Sequence, residues 1–189
     1  MNAGPLLRLE HVAARRGGRI LFEDLSLALH AGEAALLTGP NGIGKSSLIR
    51  LVAGLLRPAA GVVEVGEAAL ADEHLALDER QPLVRALGFW ARLDGGDPAP
   101  AMAAMGIAHL APVPVRMLST GQRKRAALAR LIAQGAPLWL LDEPANGLDV
   151  EGQDRLAAAM AAHRANGGAI LAATHQPLGL DDAIPVRLG

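Results

Sequence analysis

The chain has 189 residues, 51% of them hydrophobic, and its 18 Lys and Arg nearly cancel 19 Asp and Glu, so no global field argues for nucleic acid or an anionic membrane surface. Cysteine is absent, which excludes a disulfide framework and a thiolate metal site. No apolar run reaches the roughly 18 to 20 residues needed to span a bilayer, and the first residues, "MNAGPLLRLEHVAARRGG", carry Arg8, Glu10 and His11 where a signal peptide would be apolar.

In chain order, residues 6–12 ("LLRLEHV") read as an opening strand, "RRGGR" as a turn, and a second strand starts at Ile20. Residues 33–39 ("EAALLTG") form a short buried strand, followed by a glycine-rich loop. The run "SSLIRLVAGLL" then has leucine-type residues at helical spacing, stopped by "RPAAG". "VVEV" is a further short strand. From Ala69 to Val115 the pattern turns to Ala, Leu, Arg and Pro with helical character, broken by "DGGDPAP", and reads as a helical insertion. A helix "STGQRKRAALARLIAQG", a buried strand "PLWLLDEP", a helix "EGQDRLAAAMAAHRANG" and a strand "AILAATH" follow. Strand and helix alternating in this way predict an α/β fold on a mainly parallel sheet.

Gly39, Pro40, Asn41, Gly42, Ile43 and Gly44, followed by Lys45, Ser46 and Ser47, match the P-loop pattern with the strand before and the helix after that it requires. The glycines let successive backbone N–H groups curl around phosphate oxygens, and the helix N-terminus adds its positive end. Lys45 is expected to reach the β and γ phosphates, and Ser46 to hold Mg²⁺. "PLWLLDEP" ends an apolar strand in Asp142 and Glu143, placing two carboxylates at the edge of the sheet where α/β ligands sit. Asp142 suits the role of holding Mg²⁺, and Glu143 that of the base that polarises an attacking water.

Shortly before that strand stands Leu118-Ser119-Thr120-Gly121-Gln122, opening a helix. It closely resembles the LSGGQ signature of ATP-binding cassette (ABC) ATPases, and the order of P-loop, signature and Asp-Glu is that family's order. The resemblance covers essentially the whole chain. It implies a P-loop cassette spanning residues 1–189 as one domain: a mainly parallel core (about 1–68 and 136–189), an antiparallel β edge and an inserted helical subdomain (about 69–135). In that family the signature caps the γ-phosphate held by a second copy, which implies that role for Ser119, Gly121 and Gln122 in an ATP sandwich dimer. "NGLD" resembles the D-loop, placing Asp149 at the dimer seam, and "ATHQP" resembles the switch, placing His175 on the γ-phosphate. The adenine is usually stacked on an aromatic residue before the first turn; here that position is Arg16, with Arg15 as the substitute, and a guanidinium plane can cover a purine. Phe22 is the nearest aromatic, but the alternation of "ILFEDLSL" turns its ring inward.

The short length, "TGPNGIGKSSLIRLVAGLLRPAAG", "LSTGQRKR" and "ATHQPL" are most similar to the heme exporter ATP-binding subunits of cytochrome c maturation systems. That likeness implies ATP hydrolysis with Mg²⁺, transmembrane ABC subunits as partners, and a peripheral position on the cytoplasmic face of a bacterial inner membrane. It implies no membrane span and no nucleic acid. Phe89 and Trp90, in "LVRALGFWARL", are expected in the groove that receives a coupling helix. Two positions depart from the pattern: Leu75, after His74, stands where a Q-loop glutamine is expected, with Gln81 too far along, and Thr120 replaces a signature glycine. A P-loop small-molecule kinase would have no use for "LSTGQ" before "LLDEP". Cassettes acting on ribosomes come in tandem, and the DNA-repair type needs a long coiled coil.

Overall fold

The computed structural model describes residues 4–94 and 96–188. Strands β1 (Leu7–Arg16) and β2 (Arg19–Leu29) form an antiparallel hairpin around Gly17 and Gly18, whose φ values of 56° and 80° suit a tight two-residue turn that side chains resist. The first strand therefore runs past Val12 and carries Arg15 and Arg16 within it. With β4 (Ala60–Val65) on the other side of β1, these strands make a three-stranded antiparallel sheet of order β2-β1-β4.

The second sheet is parallel. Its strands are β3 (Ala34–Thr38), β5 (Ala68–Ala71), β6 (Leu138–Asp142), β7 (Ala169–Ala173) and β8 (Ile184–Arg187), in the order β5-β6-β7-β3-β8. Alternation inside these short strands decides which core each residue joins. Leu138, Leu140, Ala169 and Leu171 face one core, shared with α1 (Lys45–Val52) and the antiparallel sheet. Trp139, Leu141, Ile170 and Ala172 face the other core, shared with α2 (Leu83–Asp94), α3 (Pro98–Ala104), α4 (Thr120–Gln134) and α5 (Val150–Ala165). Because both faces are covered, the sheet offers ligands only its edges.

Two elements differ from the reading of the sequence. The expected helical stretch does not begin at Ala69: Ala68–Ala71 is a strand that pairs in parallel with β6, and helix α2 starts only at Leu83. Alanine favours helix by propensity, but here Ala69 and Ala71 are buried in the helical core while Leu70 packs into the other, a period of two that tertiary packing imposes. Strand β8 gives no clear signal in the sequence because Pro185 interrupts it; as an outer strand paired with β3 alone among the described residues, it tolerates a residue without an N–H. The break at "DGGDPAP" falls between α2 and α3, and Asp97 caps α3 by accepting from the Ala99 N–H. No helix is long and apolar enough to cross a membrane among the described residues.

Helix α5 is fixed to the sheet by an aromatic stack. The His163 ring lies 3.9 Å from the Trp139 ring, 9° from parallel, and donates from Nε2 to the Ala169 carbonyl. A Cβ on Gly168 would lie 2.2 Å from that ring, so the residue beside it must be glycine. Burial pushes the His163 pKa below its ordinary 6.5, outweighing the carbonyls of Ala169 and Pro137. The folded state thus takes up a proton less readily than the unfolded chain, so this contribution is full above pH 6.5 and is lost as the pH falls below it. In urea titrations from about pH 7 to 5, the parent should lose more stability than His163→Gln, whose glutamine does not titrate. Equal slopes would show that His163 does not set this dependence.

Candidate active site

The carboxyl edge of the parallel sheet gathers the chemistry. In spatial order it presents Asp72 after β5, Asp142 and Glu143 at the end of β6, Thr174 and His175 after β7, and the P-loop after β3. The P-loop and Asp142 belong to strands separated by β7. They are joined because α1 carries Ser46 across: its hydroxyl donates to Asp142 Oδ1 at 3.0 Å.

The loop itself has a backbone that only glycine readily adopts. Gly39 has φ 136°, and a Cβ there would lie 2.6 Å from the Leu188 carbonyl oxygen; at Gly44, φ 121°, it would press on Leu21 and Phe22. Lys45 is 7% exposed, and its ammonium donates to the carbonyls of Gly39 (2.7 Å) and Pro40 (3.0 Å). These neutral partners can be exchanged for phosphate oxygens, a stronger charge-assisted pairing. Ser47 is buried behind the loop, and Asn41, Gly42, Gly44, Lys45, Ser46 and Ser47 line a cavity of about 340 Å³ together with Arg16, Asp142, Glu143 and His175.

Glu143 adopts φ 47°, a backbone state costing roughly 1–3 kcal/mol for a residue with a side chain. Its own N–H donates to the Ala173 carbonyl at 2.8 Å, so the turn is tied to the end of β7. The carboxylate consequently meets His175: the His175 backbone N–H donates to Oε2 at 3.4 Å, and Nε2 lies 3.6 Å from Oε1. The loop after β7 is shaped by Thr174, whose hydroxyl accepts from the Gln176 N–H, and Gln176 Nε2 donates to Asn146 Oδ1 at 3.1 Å.

A second, larger cleft of about 730 Å³ shares Arg16, Ser46, Asp142 and Glu143 with the first. It adds residues that sequence reasoning missed: Arg50, Asp72, Glu73, Glu79, Arg123 and Lys124. Two of them had a readable signal. Arg50 lies four residues after Ser46 on the same helix face, and Asp72 follows a strand whose Ala71 pairs with Leu141, directly before Asp142. Leu75 lines this cleft, so an apolar side chain does occupy the wall where a glutamine was expected. Arg16, and not Arg15, lines both cavities, while Phe22 is only 7% exposed and belongs to the core.

Ser119, Gly121, Gln122 and Asp149 line neither cavity. Ser119 caps α4 in a reciprocal box: its hydroxyl accepts from the Gln122 N–H, and its own N–H donates to Gln122 Oε1 at 2.9 Å. Thr120 occupies the first turn of the helix, with no positive φ that would demand glycine. A Cβ on Gly121 would lie 3.2 Å from the Gly147 carbonyl, so the signature and the "NGLD" loop abut. Asp149 caps α5, accepting from the Gly152 N–H at 3.0 Å and from the Arg125 guanidinium. The Arg125 bond, then that of Gly152, hold its carboxyl below the usual range.

The model of the ABC transporter family matches residues 22–146. The chain is 59% identical over 188 residues to the cytochrome c biogenesis ATP-binding export protein CcmA of Sphingopyxis alaskensis, covering 97% of each chain. It is 61% identical to the protein of the same name in Novosphingobium aromaticivorans, covering 90% of this chain and 88% of that one. Among solved structures, an ATP-binding subunit of an ABC transporter superposes with a TM-score of 0.88 at 23% identity, over 97% of this chain and 85% of the other. The P-loop cassette expected from the motifs is thus the fold observed, and the chain belongs to the ABC transporter family, as an ATP-binding subunit similar to the cytochrome c biogenesis export proteins.

Proposed function

We propose that this chain hydrolyses ATP to drive a cytochrome c biogenesis export system, exporting heme or releasing a heme-loaded chaperone. Two copies work head to tail against transmembrane ABC subunits at the cytoplasmic face of a bacterial inner membrane. The names of the 59–61% identical relatives support the system. One observation carries the chemistry: the Ser46–Asp142 hydrogen bond, which brings a hydroxyl and a carboxylate together between the P-loop and Glu143. This pair of hard oxygen donors at one mouth suits Mg²⁺, which keeps waters and takes phosphate oxygens as its other ligands. When bound, Mg²⁺ would neutralise charge on the β and γ phosphates.

The residues then divide the work. Lys45 leaves the Gly39 and Pro40 carbonyls for phosphate oxygens, and the P-loop N–H groups and the start of α1 hold the rest. Glu143 polarises the attacking water and accepts its proton. His175, already beside that carboxylate, orients it and reaches the γ-phosphate. Ser119, Gly121 and Gln122, outside their own cleft, face the nucleotide of a second copy, and Asp149 lies at the seam between the two. A separate groove of about 790 Å³, lined by Leu75, Leu77, Arg85, Phe89 and Trp90, receives the coupling helix, with Phe89 52% exposed to it. Leu75 borders both this groove and the nucleotide cleft.

Glu143→Gln should keep ATP binding while turnover falls at least about 10²-fold, and ATP should then hold a closed dimer visible by gel filtration. Unchanged turnover would move the base role to another residue. Arg16→Ala should weaken ATP binding by roughly two- to thirtyfold, and Arg16→Tyr should restore it, because a guanidinium and a phenol can each cover the adenine. Equilibrium titration with ATP checks this; an Arg16→Ala affinity equal to the parent's assigns the base to another group.

A further inference from the structure

The wall of the larger cleft opposite the strand ends is one stripe of α4. Thr120, Arg123, Lys124 and Ala127 line it, and their spacing of three and four residues is a single helical face. Across from this stripe stand four carboxylates from two adjacent strand ends, Asp72 and Glu73 after β5 and Asp142 and Glu143 at β6. Parallel neighbours lie about 4.8 Å apart, so Asp72 and Asp142 leave the sheet side by side. Asp72 already has partners: its carboxylate accepts from the His74 N–H at 2.9 Å and lies 3.1 Å from His74 Nδ1 and 3.9 Å from Arg50. Burial would raise its pKa, but these bonds and charges outweigh it and hold the carboxyl below the usual range.

Lys124 differs. It is half-buried and its ammonium makes no hydrogen bond or salt bridge among the described residues, yet it sits in the field of all four carboxylates. Burial pushes its ammonium below the usual lysine range, and Asp142 leads the groups that pull it back. An unpaired ammonium thus shares the cleft with the same aspartate that pairs with Ser46. It is carried by the helix whose N-cap is Ser119, and Leu75 beside it offers the cleft no polar group.

We propose that Lys124 is a positioning residue that couples metal occupancy to the signature helix. In the nucleotide-free protein it is the counter-charge to Asp142, while Arg50 and His74 attend Asp72. When a divalent cation is held by Ser46 and Asp142, the two positive charges repel, Lys124 gives up its place, and α4 shifts with Ser119 at its tip. The link that a Q-loop glutamine would make from the loop after β5 is made here from α4, by repulsion in place of ligation. This rests on the nucleotide-site reading above.

The test uses the full chain and its Lys124→Gln and Lys124→Arg variants, with Mn²⁺ as a paramagnetic stand-in for Mg²⁺. Binding of a fluorescent ATP analogue without metal should be no tighter in Lys124→Gln than in the parent, because removing a cation from the cleft cannot strengthen its hold on a polyanion. With a non-hydrolysable ATP analogue present, Mn²⁺ should bind Lys124→Gln at least threefold more tightly than the parent, and Lys124→Arg within twofold of the parent. Hydrogen exchange across residues 119–134 should change on adding metal in the parent and in Lys124→Arg, but not in Lys124→Gln. Mn²⁺ affinity in Lys124→Gln equal to or weaker than the parent's overturns the proposal, as does an exchange response to metal that is absent in the parent or persists in Lys124→Gln. Failure of the parent to bind the metal-free analogue instead overturns the nucleotide-site reading itself.

Discussion

The hydrogen bond from Ser46 to Asp142 joins two strands that are not neighbours, and the rest of the site is arranged around it. With β7 between β3 and β6, the P-loop and the acidic strand end could not meet through the sheet alone. Helix α1 closes the gap, because a helix starting at Lys45 must project Ser46 along the sheet edge. Its buried Leu48, Ile49, Leu51 and Val52 lock that direction by packing under β6 and β7. The apolar face of one short helix therefore decides where a hydroxyl and a carboxylate converge. A burial of this kind contributes roughly 1.5–3 kcal/mol per large side chain, more than the single hydrogen bond it positions.

The same edge explains why so much of the site could be read from residues in order. A parallel sheet covered on both faces sends every strand's carboxyl end to one side, so motifs far apart in the chain arrive together without long-range guidance. Lys45, Ser46, Asp142, Glu143 and His175 follow strand ends or open a helix beside one, and they converge as the motifs imply. What was not legible depends on packing. "AALA" has helical propensity and becomes a strand because β6 is its neighbour. Asp72 and Lys124 have no role assigned by a motif, and enter the cleft because β5 stands next to β6 and because α4 turns one stripe inward. β8 is hidden by its proline.

Ser119 and Asp149 illustrate residues with two uses. Each caps its own helix in the single chain, and these caps hold the two helix starts against each other at Gly121 and Gly147. The bonding that stabilises the fold thus also pre-orders the surface proposed to meet a second copy. Arg125 adds a third contact, binding the Asp149 side chain and standing 3.8 Å from Glu151, so the signature helix and α5 are linked by charge as well as by close backbone approach.

Strand β8 sets an order of completion for the molecule. The carbonyl of Leu188 stands where a Cβ on Gly39 would go, and the Leu188 N–H donates to the Thr38 carbonyl at 3.0 Å. The start of the phosphate loop therefore rests against an element that follows every other part of the site in the chain. Until β8 docks, β3 is an outer strand with a bare row of N–H and carbonyl groups, open to pairing with another chain. Docking of β8 covers the edge of β3 and sets the wall behind the P-loop in one step, and the outer strand it leaves carries Pro185, which lacks the N–H that further pairing would need.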